Sequence, residues 1–157
     1  MSWVGWAVWL HVVGAAVWVG GHLVLLGRYL PQAWRAGRLD LLREFERRYE
    51  GLGLPALALQ VGTGLLLLAH YQAWPFGPLD TPYGRLGLWK IIGLTATLLL
   101  ALHARLRLLP RLSMQTLPLL ALHVLLVTLI GLGLAWVGVG GTMGRLITKG
   151  SIPVRKC

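Results

Sequence analysis

Four apolar stretches, each long enough to cross a lipid bilayer, govern what this chain can fold into: Trp3 to Leu30, Leu52 to Trp74, Leu86 to about Leu109, and Leu117 to about Val139. A hydrocarbon core about 30 Å thick requires roughly 20 residues of helix. Arg28 and Pro31 close the first stretch, and Arg105, Arg107 and Pro110 close the third. Inside lipid every backbone N–H and C=O must be satisfied within the protein, which leaves helices as the economical solution for spans of this length. With 56% of residues apolar and only 13% charged, the chain carries more apolar surface than a soluble core of this size can hide. The expected fold is therefore all-α, an integral membrane four-helix bundle.

Between the first two stretches, over residues 35–50, Leu39, Leu42, Phe45 and Tyr49 recur at near-helical spacing among alternating charges. This pattern predicts a short amphipathic helix, lying on the membrane surface or extending the bundle into water. The second connection, Pro75 to Gly84, is rich in proline and glycine. One transmembrane domain over 1–141 and a basic tail over 142–157 account for the chain. The start lacks the basic region of a cleavable signal, so the first helix is expected to be retained. Cys157 is the only cysteine, which excludes a CxxC metal or redox motif.

The net charge of +10 flanks the apolar stretches instead of forming one basic face, which argues against nucleic acid as a partner and for a topological signal. Nine of the fifteen cations, Arg28, Arg35, Arg38, Arg43, Arg47, Arg48, Arg105, Arg107 and Arg111, surround the first and third connections. Those connections are accordingly expected to be cytoplasmic, in a bacterial inner (plasma) membrane crossed several times. Trp3, Trp6, Trp9, Trp74, Trp89 and Trp136 fall towards the opposite ends of the spans, as an aromatic belt at one interface does.

All five histidines, His11, His22, His70, His103 and His123, lie inside the expected spans. An imidazole in hydrocarbon must have its nitrogens satisfied, so such residues face the bundle interior and mark function, or bond across helices to a carbonyl or hydroxyl. His11 and His22 are eleven residues apart, which returns them to within about 20° of one face, roughly 16 Å apart along the axis. With alternating topology, His70 falls towards the level of His11, and His103 and His123 towards that of His22. An outer pair (His11, His70) and an inner triple (His22, His103, His123) result. Paired imidazoles from facing helices suit the axial positions of haem iron, and three converging imidazoles suit copper, zinc or non-haem iron. Lys90, one to two turns inside the third span, snorkels to the interface or faces a haem propionate. Gln60 and Thr63 are expected to bond between helices. The methionines are terminal or in loops, which disfavours a thioether copper channel.

The run Trp9-Leu10-His11-Val12-Val13-Gly14-Ala15-Ala16-Val17-Trp18-Val19-Gly20-Gly21 resembles the first helix of two related bacterial membrane families, the CopD-type copper-resistance proteins and the HemJ-type protoporphyrinogen oxidases. Leu88-Trp89-Lys90-Ile91 is similar to the lysine-bearing third helix of the oxidases, and the whole resembles small relatives that bind haem b and copper. The resemblance implies His11 as a haem ligand with Lys90 beside it. The histidines beyond that exceed what a haem-only oxidase needs. The expectation is thus a protein binding haem b through His11, His70 and Lys90 and copper through His22, His103 and His123, with a redox, electron-transfer or copper-handling role. A protoporphyrinogen oxidase, or a copper transporter without haem, is the alternative. Lipid, a redox partner or quinone are the expected partners, and a homo-oligomer is compatible with the sequence.

Overall fold

The computed structural model describes the backbone of residues 2–149 and the side chains of residues 2–138. Four long helices make up almost all of it: α1 (Trp3–Ala36), α2 (Asp40–His70), α3 (Pro82–Leu108) and α4 (Leu117–Lys149). Each is long and apolar enough to cross a membrane, and no strand occurs among the described residues. Of the basic tail expected over 142–157, the helix α4 covers residues up to 149 and the remainder lies outside the described residues.

The amphipathic segment is present, but as the first half of α2 and not as a separate helix. Glycine at position 37, at φ 64°, ends α1 in the left-handed conformation, and Asp40 opens α2 three residues later. From there one helix continues through Pro55 into the membrane. Its charged beginning therefore extends the bundle, where Arg105 of α3 pairs with Glu50 and lies 3.8 Å from Glu46.

The helices run up and down around a ring. α1 packs along α2 on one side and α4 on the other, α4 packs on α3, and α2 and α3 meet only sparsely. Fixed contacts set the depths. The Tyr49 hydroxyl donates to the carbonyls of Val17 and Trp18, and His11 meets Gln60. Val19 lies against Gly131, Leu134 against Gly93, and the Lys90 ammonium faces Gly138. Apolar burial concentrates at the end bearing the first and third connections, in a cluster of Leu30, Ala33, Leu42, Leu108, Leu112, Leu117, Leu120 and Val124. Elsewhere large apolar side chains point outward, as they must when lipid is the solvent. Trp3, Trp6, Trp9, Trp89 and Trp136 are among them.

α1 and α3 each contain one π turn, Leu25–Tyr29 and Ala104–Leu108. In both, the residue before a proline reaches back five residues: Leu30 N–H to the Leu25 carbonyl, and Leu109 N–H to the Ala104 carbonyl. Pro31 and Pro110 follow with no N–H to give, and the widened turn re-registers the ladder around them. The same four-residue pattern, arginine three residues before proline with leucine between, precedes both: Arg28 to Pro31 and Arg107 to Pro110.

Single cysteines at positions 38 and 80, in a Cys157→Ser background, are expected to label from opposite sides with an impermeant thiol reagent in intact cells. Equal labelling would contradict four crossings.

Candidate functional site

Hydrogen bonds hold four of the five histidines, His11, His22, His103 and His123. The His11 Nδ1 lies 3.0 Å from the carbonyl oxygen of Gln60 and 3.1 Å from the Thr63 hydroxyl. The Thr63 hydroxyl proton is itself directed at the Leu59 carbonyl, 2.6 Å away. A carbonyl only accepts, so Nδ1 carries the proton and the lone pair sits on Nε2. His22 repeats the arrangement within its own helix, its Nδ1 donating to the Trp18 carbonyl at 2.8 Å. His123, only 9% exposed, does the same with Leu119 at 2.8 Å.

Fixing His123 in that tautomer fixes its neighbour. Its Nε2 lies 2.8 Å from the His103 Nδ1 and has no proton to offer, so His103 donates. The two rings, on α4 and α3, are 4.9 Å apart between centroids and tilted by 27°. This is the one histidine pair that the structure brings into direct contact. In His11 and His22 a backbone carbonyl holds one imidazole nitrogen and leaves the other's lone pair open, the support that metal-ligating histidines ordinarily have; in His123 the second nitrogen is the one that meets His103.

The expected layers are only partly reproduced. His22 lies near the level of Thr128, about 7 Å along the axis from His123. Its ring packs on Trp18, with centroids 4.6 Å apart, and edge-on to Tyr49 at 6.3 Å. Among the described residues no group of three or more histidine, cysteine or acidic side chains is placed to hold one metal ion. At the other end His70 is exposed and packs edge-on against Trp3 at 5.0 Å. It stands seven residues beyond Thr63 on α2, about 10 Å along the axis from the level of His11. What shares the depth of His11 is Gln60, Thr63 and Lys90, the last placed by its approach to Gly138 on α4. Thr63 thus bonds between helices through its side chain, whereas Gln60 does so only through its backbone carbonyl, its Oε1 being buried without a hydrogen-bond partner among the described residues.

Tyr49 was not singled out by the sequence as part of a site. Its hydroxyl donates to the Trp18 carbonyl at 3.1 Å, the same oxygen that receives the His22 Nδ1 proton. Its ring stacks on Phe45 at 5.4 Å, and Phe45 on Tyr29 at 4.7 Å. Only its place in an amphipathic repeat was visible beforehand. Tyr49→Phe is expected to lower stability by about 1 kcal/mol, the net worth of a hydrogen bond. Thermal unfolding in detergent reads it.

The family model for copper resistance protein D matches residues 43–143, more than half of the chain. The chain belongs to that family. The copper resistance protein D match takes in α2, α3 and most of α4, and with them His70, Lys90, His103 and His123. It begins after the α1 run that carries His11 and His22. No curated protein and no solved structure matches the chain significantly. Family membership makes this a copper-related, multi-pass membrane protein in contact with lipid.

Proposed function

We propose that this protein handles copper inside the bilayer, with His103 and His123 as its first ligands and His22 as the imidazole next along the bundle axis. The observation that carries the reading is the contact between exposed His103 and buried His123, two imidazoles from separate helices in a copper resistance protein D chain. Nitrogen donors place copper and zinc ahead of magnesium and calcium. The donor set fits copper: both donors are imidazole nitrogens, and a carbonyl steadies His123. Imidazoles serve both oxidation states of copper, so holding the ion for redox and passing it on are equally open to this set. The basic connections give the proposed location, a bacterial inner membrane with those connections in the cytoplasm.

Haem b is the second reading, favoured by Lys90 at the depth of His11, where an ammonium would meet a propionate. A bis-imidazole haem fits poorly. His11 and His70 stand about 10 Å apart along the axis, too far for two axial ligands of one iron. A haem here would rest on His11 alone, with His70 at the outer rim, and a redox partner or quinone belongs to that reading.

Metal analysis and an absorption spectrum of the purified protein separate the readings. Copper near one ion per chain without a Soret band is expected. A Soret band with high-spin features would add haem on His11. Protein loaded in copper-supplemented cells that retains no copper would contradict the proposal.

A further inference from the structure

Beside the first connection, two clefts meet on the outer surface of α1. One, of about 500 Å³, is lined by Gly27, Arg28, Pro31, Gln32, Arg35 and Ala36. Arg28, Gln32 and Arg35 follow one another at helical spacing, and the two arginines lie within about 20° of one face, roughly 10 Å apart along the axis. The second cleft, of about 330 Å³, shares Pro31 and Arg35 and is otherwise apolar, formed by Leu26, Leu30, Trp34 and Ala121. The π turn Leu25–Tyr29 contributes Leu26, Gly27 and Arg28 to these walls.

The charges at this end do not balance. Asp40 is taken by Arg38, Glu44 by Arg48, and Glu46 and Glu50 by Arg105. The remaining carboxylate, Asp80, lies in the connection at the opposite end. Among the described residues, Arg28 and Arg35 make no ion pair or side-chain hydrogen bond. Two guanidinium groups without a protein anion, beside an apolar trough on a membrane-facing helix, call for an anion that carries its own apolar tail. Half-exposed Trp34 stands where an indole sits at headgroup depth.

We infer that the paired clefts on α1 bind one anionic phospholipid, its phosphate between Arg28 and Arg35 with Gln32 as a further donor, and an acyl chain along Leu26, Leu30, Trp34 and Ala121. Arginine suits the phosphate because its planar fork offers two parallel donors. The adjoining trough gives the chain a path from the headgroup into the bilayer.

The test uses the purified full chain in neutral detergent, titrated with dioleoyl phosphatidylglycerol or dioleoyl phosphatidylcholine and read by native mass spectrometry. One phosphatidylglycerol is expected to bind in preference to phosphatidylcholine, and Arg28→Gln/Arg35→Gln to lose about thirtyfold of that preference, the factor two arginines supply at an anionic surface. Arg47→Gln, a cation of the same end outside the clefts, is expected to leave it unchanged. Equal losses in both variants would reduce the effect to net charge and overturn the site, as would an unchanged double variant. Glycerophosphoglycerol, the headgroup without chains, is expected to compete at least tenfold more weakly than the lipid. Equal competition by it, or by inorganic phosphate, would overturn the acyl trough.

Discussion

Replacing His123 by alanine is expected to weaken copper binding by more than a hundredfold, as read by competition with a chromophoric copper(I) chelator. The change removes one of two imidazoles whose ring nitrogens stand 2.8 Å apart, and with it the buried half of the ligand pair. Deleting only a supporting partner of a metal ligand typically costs 10- to 100-fold, so deleting a ligand should exceed that range. His103→Ala should behave alike. His22→Ala should have a smaller effect, because His22 lies about 7 Å further along the axis. Equal losses in all three variants would mean that the three imidazoles converge on the ion. Unchanged affinity in all three would remove the inner histidines from the account.

The largest expected change in stability comes from Gly21→Leu. A Cβ at position 21 would fall 2.2 Å from the Tyr49 ring, and one at position 53 2.6 Å from its other side. The ring thus occupies a slot that two glycines from α1 and α2 create, and its edge cannot yield without withdrawing the hydroxyl from Val17 and Trp18. Overpacking at about 1–3 kcal/mol and the lost hydroxyl hydrogen bond at about 1 kcal/mol give an expected loss of about 3 kcal/mol. That corresponds to a fall in melting temperature of roughly 10 °C for a chain of this size. Gly20→Leu is the control, because a Cβ there meets nothing within 4 Å. Similar melting temperatures for the two variants would contradict this packing.

The four crossings were legible because bilayer thickness and backbone satisfaction leave little choice over an apolar run. The continuity of α2 was less so. The charged repeat over 35–50 read as a short helix ahead of the span, yet one helix runs from Asp40 to His70, Arg105 pairing its acidic side and Tyr49 anchoring it to α1. The depth assignments rested on span ends, and errors of about a turn there decide whether imidazoles touch. Thus the contact of His103 with His123 agreed with their common level, whereas His70 and His22 lie too far along their helices to join the expected partners. The π turns escaped notice because they are a response of the hydrogen-bond ladder to Pro31 and Pro110, which periodicity does not register.

X-ray absorption at the copper edge of the copper-loaded protein tests the central claim most directly. The account predicts nitrogen scatterers at about 2.0 Å, the usual metal–imidazole distance, with the outer-shell scattering of at least two imidazole rings and its loss in His103→Ala/His123→Ala. A first shell of oxygen or sulfur without imidazole scattering, or an unchanged spectrum in the double variant, would contradict it.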